Sequence, residues 1–279
     1  MKSAVITAAW IAALFGAPAL AADMAVKAPL VTKAPPLAVS TWSGCYGGVN
    51  GGAAWGQSNI ISTFSAPPGG ANVPFVVEIN REQSPSLDPL GGTAGVQLGC
   101  NWQSGSYVVG IETDFDYMGL KKDVSTQFPA SIVNPAIQTV TTNTSFATHW
   151  FYTLRGRLGL VAQSDWLLYV TGGLAVTRIN YNSAYTNIAL GPPPSLLEDE
   201  FASGAATRAG WTVGAGVERK ITGTRWSGKI EYLYAGFGSL NTSGQLFGEA
   251  GTFPSGIFLN NHVPLNVQVL RVGFNYSLN

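Results

Sequence analysis

Tyr107-Val108-Val109-Gly110-Ile111-Glu112-Thr113-Asp114-Phe115-Asp116-Tyr117 is the stretch that decides the fold. Tyr107, Val109, Ile111, Thr113, Phe115 and Tyr117 share one parity, and Glu112, Asp114 and Asp116 share the other. Successive side chains of an extended chain point to opposite faces, so the segment reads as a strand with an apolar, aromatic-tipped face and an acidic one. The sorting recurs along the chain. Trp150, Tyr152, Leu154, Leu158 and Leu160 oppose Arg155 and Arg157. Ile230, Tyr232 and Tyr234 oppose Lys229 and Glu231, and Leu270, Val272, Phe274, Tyr276 and Leu278 oppose Arg271 and Asn275. Trp211, Val213, Ala215 and Val217 oppose Glu218, while Arg219 falls on the apolar face beside a turn, where it snorkels to an interface. Leu168, Val170, Leu174 and Val176 lie against Tyr169 and Thr171.

Strands are expected at 42–56, 92–103, 106–120, 146–163, 166–182, 208–221, 226–239 and 264–278. Their connections alternate in length. Those at 57–91, 121–145, 183–207 and 240–263 are long and polar, with prolines such as Pro67-Pro68 and Pro192-Pro193-Pro194. Those at 103–106, 163–166 and 222–225 are tight turns. Long outer loops alternating with short periplasmic turns, over an even number of strands, mark an outer-membrane barrel. The expected fold is therefore all-β: an eight-stranded antiparallel transmembrane up-and-down barrel with both termini periplasmic.

Composition points the same way. Of 279 residues only 11% are charged, with 15 basic and 15 acidic side chains and a mean hydropathy of +0.18. A disordered chain needs the opposite balance, and soluble globules carry about 25% charge. No basic excess points to nucleic acid. Beyond the N-terminal region no apolar run is long enough for a spanning helix, which leaves strands as the way across a bilayer.

The N-terminus reads as a secretion address. Lys2 precedes an apolar stretch at 4–16, and Ala19-Leu20-Ala21 is a small-residue cleavage site. The expected organisation is a signal peptide at 1–21, a proline-rich periplasmic lead-in at 22–41 and the barrel at 42–279; cleavage after Ala22 is the alternative.

Three sets of residues are candidates for special roles. Trp42, Trp102, Trp166 and Trp226 fall at strand ends near the terminus or a tight turn, while Trp55, Trp150 and Trp211 fall near the long loops. They are expected to form two interfacial girdles. Glu112, Asp114, Asp116, Arg155, Arg157, Glu218, Lys229, Glu231 and Arg271 are expected to meet in the lumen as a charged layer, because eight strands enclose only enough space for side chains to fill. Lumen charges solvated by a continuous water column are the alternative. Cys45 and Cys100 are placed near the turn end of neighbouring strands, either as a disulfide or as two small residues facing lipid.

The opening Trp42-Ser43-Gly44-Cys45-Tyr46-Gly47-Gly48 resembles that of the small outer-membrane β-barrel proteins of alphaproteobacteria, the outer-membrane immunogenic or opacity-like porin-family proteins. The segments 95–102, 154–159, 168–175 and 231–234 are similar to the same family, and the likeness covers essentially the whole chain. Cys45 and Cys100 stand where aromatic residues are usual in the family, and the chain ends Tyr276-Ser277-Leu278-Asn279 in place of a terminal aromatic residue. The resemblance implies an outer-membrane location in a Gram-negative envelope, insertion by the barrel-assembly machinery, and a structural or surface role without a known reaction.

No phosphate-binding, dinucleotide or nucleophile-elbow motif is present, and no metal-ligand spacing. His149, in parity with the lumen, and His262 lack an obvious Ser–His–acid set. Glu198-Asp199-Glu200 reads as a solvated loop tip. Leu246, Phe247, Phe253, Ile257, Phe258 and Leu259 make the fourth loop apolar and suit it to the barrel mouth or the lipid interface, with a surface adhesion patch as the alternative. The expected function is a structural and surface-interacting outer-membrane barrel with a plugged lumen, without cofactor, metal or catalytic residue. Its partners are membrane lipid, the assembly machinery and an extracellular partner met through the loops. A small-solute diffusion channel and a rim enzyme acting on lipid are the alternatives.

Overall fold

The computed structural model describes residues 41–65, 86–129, 137–189, 196–248 and 253–278. The expected signal peptide and all but the last residue of the lead-in lie outside them. The strands are β1 (Gly44–Asn59), β2 (Ile61–Ser65), β3 (Ser86–Leu87), β4 (Leu90–Ser104), β5 (Tyr107–Pro129), β6 (Ile137–Ala162), β7 (Trp166–Ala189), β8 (Leu196–Lys220), β9 (Trp226–Gly248) and β10 (Phe253–Ser277). β2 continues β1 past Ile60 in the same register on β10. β3 continues β4 across Asp88-Pro89, where proline removes a ladder donor. The sheet therefore has eight antiparallel walls, and pairing of β10 with β1 closes the ring.

The register sets the tilt. From Tyr46 the partners run through Gly99, Glu112, Arg155, Gly173, Thr212, Ala235 and Val267 to Gly56, ten residues further along the strand where the path began. Such a stagger is what lets a twisted sheet close on itself. The three tight turns each hold a positive-φ residue, Gly105 at 60°, Gln163 at 59° and Gly223 at 76°.

Outward side chains form one apolar band. On β5 it runs from Tyr107 to Tyr117, both exposed, a span matching the 9–11 residues a tilted strand needs to cross a bilayer. Trp102, Trp166 and Trp226 are exposed at its turn end, and Trp211 at its loop end. Trp55 packs on Tyr232 at 6.4 Å and Trp150 stacks on Phe115 at 6.1 Å, both also at the loop end. Arg219 lies 5.0 Å from the Trp166 ring, so its cation stays at the aromatic edge of the band.

The strands do not stop where the band stops. β6 has 26 residues, so most of the segments read as loops at 121–145, 183–207 and 240–263 are strand. Above the bilayer no face needs to be apolar, so Thr-rich runs such as 139–144 keep pairing without the apolar alternation that signals a membrane strand. Glu198-Asp199-Glu200 is accordingly paired with β7 rather than a loop tip. Of the apolar segment at 246–259, Phe258 is exposed, and the other five side chains lie outside those described.

Register shifts mark the upper edge of the band, between Tyr117 and Leu120, Thr148 and Phe151, and Pro264 and Asn266. Each bulge resets which parity faces inward. His149, expected in the lumen, is thereby turned to the outer surface, where its Nδ1 meets Asn180 Nδ2 at 3.3 Å. The wall also has a seam. β8 pairs with β9 from Trp211 to the turn and again at Glu198 and Asp199, but no ladder pair joins residues 200–210 to 237–246.

Candidate functional site in the barrel lumen

Inward side chains fill the lumen in three layers. At the turn end Trp42, Val108, Leu167 and Tyr169 form a small apolar cluster with Val161. Trp42 is 6% exposed and so is not a girdle residue, unlike the other six tryptophans among the described residues. It shares the inward parity of Tyr46, and parity outranks its place near the interface. Its backbone N–H donates to Gln103 Oε1 at 2.6 Å, and Lys220 lies 4.8 Å from its ring. Lys220 also donates to the Thr41 carbonyl, so the chain entry caps this mouth.

The middle layer brings together all nine charged residues singled out from the sequence, each at most 2% exposed. Arg155 is the hub: Nη2 lies 2.6 Å from Glu112 and 2.7 Å from Asp114, and Nη1 lies 3.1 Å from Glu231. Arg271 spans Asp116 at 2.7 Å, Glu231 at 2.7 Å and Asp114 at 3.1 Å. Lys229 donates to both oxygens of Glu112 at 2.9 Å. Arg157 pairs with Glu218 and stacks 3.7 Å from the Tyr169 ring centroid. Two planar guanidiniums thus each join two carboxylates of β5 to Glu231 of β9, a bridging arrangement that suits the rigid fork of five donors.

Uncharged groups complete the layer. Tyr46 donates to Glu112 at 2.6 Å, Tyr169 to Glu231 at 2.9 Å and Thr153 to Asp114 at 2.7 Å. Glu218 accepts from Ser227 at 2.5 Å and Asn275 at 2.8 Å, and Asp116 accepts from Asn50 at 3.0 Å. Buried charge is tolerable when it is paired and hydrogen-bonded, and every carboxylate of the layer is; Arg157 Nε and Asn50 Oδ1 are buried without a hydrogen-bond partner. The sequence reading set Tyr169 on the face opposite the apolar one but did not assign it, or Tyr46, Asn50, Thr153 and Ser227, to this layer, although each shares parity with a charged or inward neighbour on its strand.

Above the charges the lumen turns apolar. Met118, Leu120, Phe146, Phe151, Ile179, Leu233, Phe237, Leu240, Leu265 and Val267 belong to one buried cluster inside the ring. Two signals pointed to it: Tyr232-Leu233-Tyr234-Ala235 and Val269-Leu270 place apolar residues on both faces of β9 and β10. Such double-sided strands need apolar surroundings inside as well as out.

Cys45 and Cys100 are direct cross-strand partners and form a disulfide near the turn end. The two histidines are at the outer part of the wall, His262 with Asn241 Oδ1 at 2.8 Å.

Comparison with known proteins places this geometry. The sequence model of the family described as outer membrane protein beta-barrel domain matches residues 10–277. The chain is 35% identical to the 31 kDa outer-membrane immunogenic protein of Brucella melitensis, over 99% of this chain and 100% of that one. It is 27% identical to the 25 kDa outer-membrane immunogenic protein of Brucella abortus, over 99% and 98% respectively. Among solved structures, the outer membrane protein OprG of Pseudomonas aeruginosa aligns over 84% of this chain and 97% of its own at 8% identity, with a TM-score of 0.34.

Proposed function

The chain belongs to the outer membrane protein β-barrel family, and on that premise we propose that it is a closed, non-conducting barrel of the bacterial outer membrane. Its role is structural and surface-facing: the walls anchor the chain in the bilayer, and the long outer strands meet the surroundings. The observation that carries this reading is the filled lumen, where a paired charge layer lies between two apolar ones. A water-filled diffusion channel needs a wider ring, as in porins of 16 or more strands. The relatives' designation as immunogenic proteins supports exposure of the outer strands at the cell surface. We read the protein as non-enzymatic, since its surface histidines pair with asparagines rather than with a nucleophile and an acid.

Single-channel recording of the refolded protein in planar bilayers tests the proposal. The wild type is expected to give no steady ohmic openings, and Arg155→Ala to raise leak conductance. Large, stable openings in the wild type would overturn the closed-barrel reading in favour of a diffusion channel.

A further inference from the structure

The bulges above the aromatic band gather cations on one sector of the outer wall. Each step to the next wall along the hydrogen bonds climbs the barrel, since one circuit of eight walls advances ten residues along β1. A level line therefore drops a little over one residue per wall. Lys121 on β5 pairs with Ala147 on β6, which pairs with Asn180 on β7. Corrected for the climb, Lys121, His149 and Arg178 stand at one height, on three adjacent walls, and all three are exposed.

That height is just above the belt formed here by Tyr117 and Trp150. The Tyr117 hydroxyl reaches up over Gly119, where an added Cβ would sit 3.0 Å from it. Asn180 Nδ2 lies 3.3 Å from His149 Nδ1, which leaves the Nε2 edge of the ring free of that contact. Among the described residues two acids lie nearby: Asp88 is exposed two residues from Leu90, the ladder partner of Lys121, and Asp123 contacts Lys121 at 3.0 Å, between side chains 60% and 70% exposed, where an ion pair contributes little. On the far walls the outward residues near this level, such as Thr207 and Ser239, are uncharged, while on the neighbouring β4 wall Asp88 is exposed.

We propose that Lys121, His149 and Arg178 form a binding site for the phosphorylated glycolipid headgroup of the outer leaflet. An aromatic belt fixes the depth of the acyl chains, so the headgroup phosphates lie directly above it. Arg178 offers a forked donor suited to phosphate, Lys121 a mobile point charge, and His149 and Tyr117 further donors at the edges. The apolar wall of Phe115, Trp150 and Leu154 below receives the acyl chains.

The test is native mass spectrometry of the full, detergent-folded barrel with diphosphoryl lipid A. The wild type is expected to retain one lipid A. The double variant Lys121→Gln/Arg178→Gln should weaken retention by about tenfold or more, and His149→Ala should weaken it less. Arg219→Gln, at the opposite rim, should bind as the wild type does. Dephosphorylated lipid A should not be retained, and millimolar inorganic phosphate should not displace the lipid. Equal retention by the double variant, or equal binding of the dephosphorylated lipid, overturns the site. Full displacement by phosphate overturns the lipid assignment. Heat-shifted gel migration of each variant separates lost binding from lost folding.

Discussion

Tyr46 stands directly across the ladder from Gly99, and its phenol occupies the space that a side chain at position 99 would fill. A Cβ there would lie 2.4 Å from the Tyr46 hydroxyl and 2.9 Å from the Ile111 carbonyl. The glycine thus lets the hydroxyl reach Glu112 at 2.6 Å and accept from Arg157 at 2.9 Å. Tyr169 repeats the device over its own partner Gly216. Gly99→Ala is expected to cost about 1–3 kcal/mol by overpacking. Tyr46→Phe should cost about the same by leaving a buried carboxylate and guanidinium short of a partner. Urea unfolding in micelles, followed by tryptophan fluorescence, measures both; an unchanged midpoint for Gly99→Ala would show that the phenol lies elsewhere.

Arg155 gives the sharpest test of the charge layer. Arg155→Ala removes one cation from among Glu112, Asp114 and Glu231. Breaking a buried pair from one side costs about 3–5 kcal/mol, so the variant should unfold at much lower urea. Adding Glu112→Gln to it removes charge from the other side and should return part of the loss. A double-mutant cycle with a coupling above about 1 kcal/mol is expected. Strict additivity would mean the two groups do not interact.

The strands that cross the membrane were legible because lipid forces a period of two: an outward residue such as Val109 or Leu158 has no polar alternative. The charges were legible for the same reason, since Glu112 and Arg155 could not face lipid. The outer half was not. Where bulges reset the parity, as at His149, a fixed alternation assigns the wrong face. Where neither face meets lipid, as at Thr141 and Asn143 outside and the buried Thr142 and Thr144 inside, a paired strand and a loop have the same composition. The upper apolar layer left only the trace of apolar residues on both faces of β9 and β10, because Val267 and Leu270 look alike in sequence, though one faces the lumen and the other the bilayer.

The Cys45–Cys100 bridge ties β1 to β4 and closes a loop of 55 residues of sequence separation. Closing such a loop in the unfolded chain is worth about 2–4 kcal/mol. Maleimide labelling of the unfolded protein should find no free thiol without reductant and two with it. The reduced barrel should still fold, because the ladder on either side of the pair is continuous, but at a lower urea midpoint. Equal labelling in both states would remove the bridge from the account.

Hydrogen exchange should locate the seam. In an antiparallel strand alternate residues direct their N–H and C=O to opposite neighbours. Along residues 202–210 the groups aimed at β7 have ladder partners, whereas those aimed at β9 have none. Small side chains line this edge, and Gly204 lies so close to Thr242 that an added Cβ would sit 2.4 Å from its methyl group. Residue-resolved exchange in micelles should alternate between protected and fast amides over 202–210. Over 212–218, bonded on both sides, it should be uniformly slow. Closing the seam by cross-linking Gly204→Cys to Thr242→Cys should slow the fast set without changing the slow one. Uniform protection of 202–210 in the unmodified protein would show the ladder between β8 and β9 to be complete.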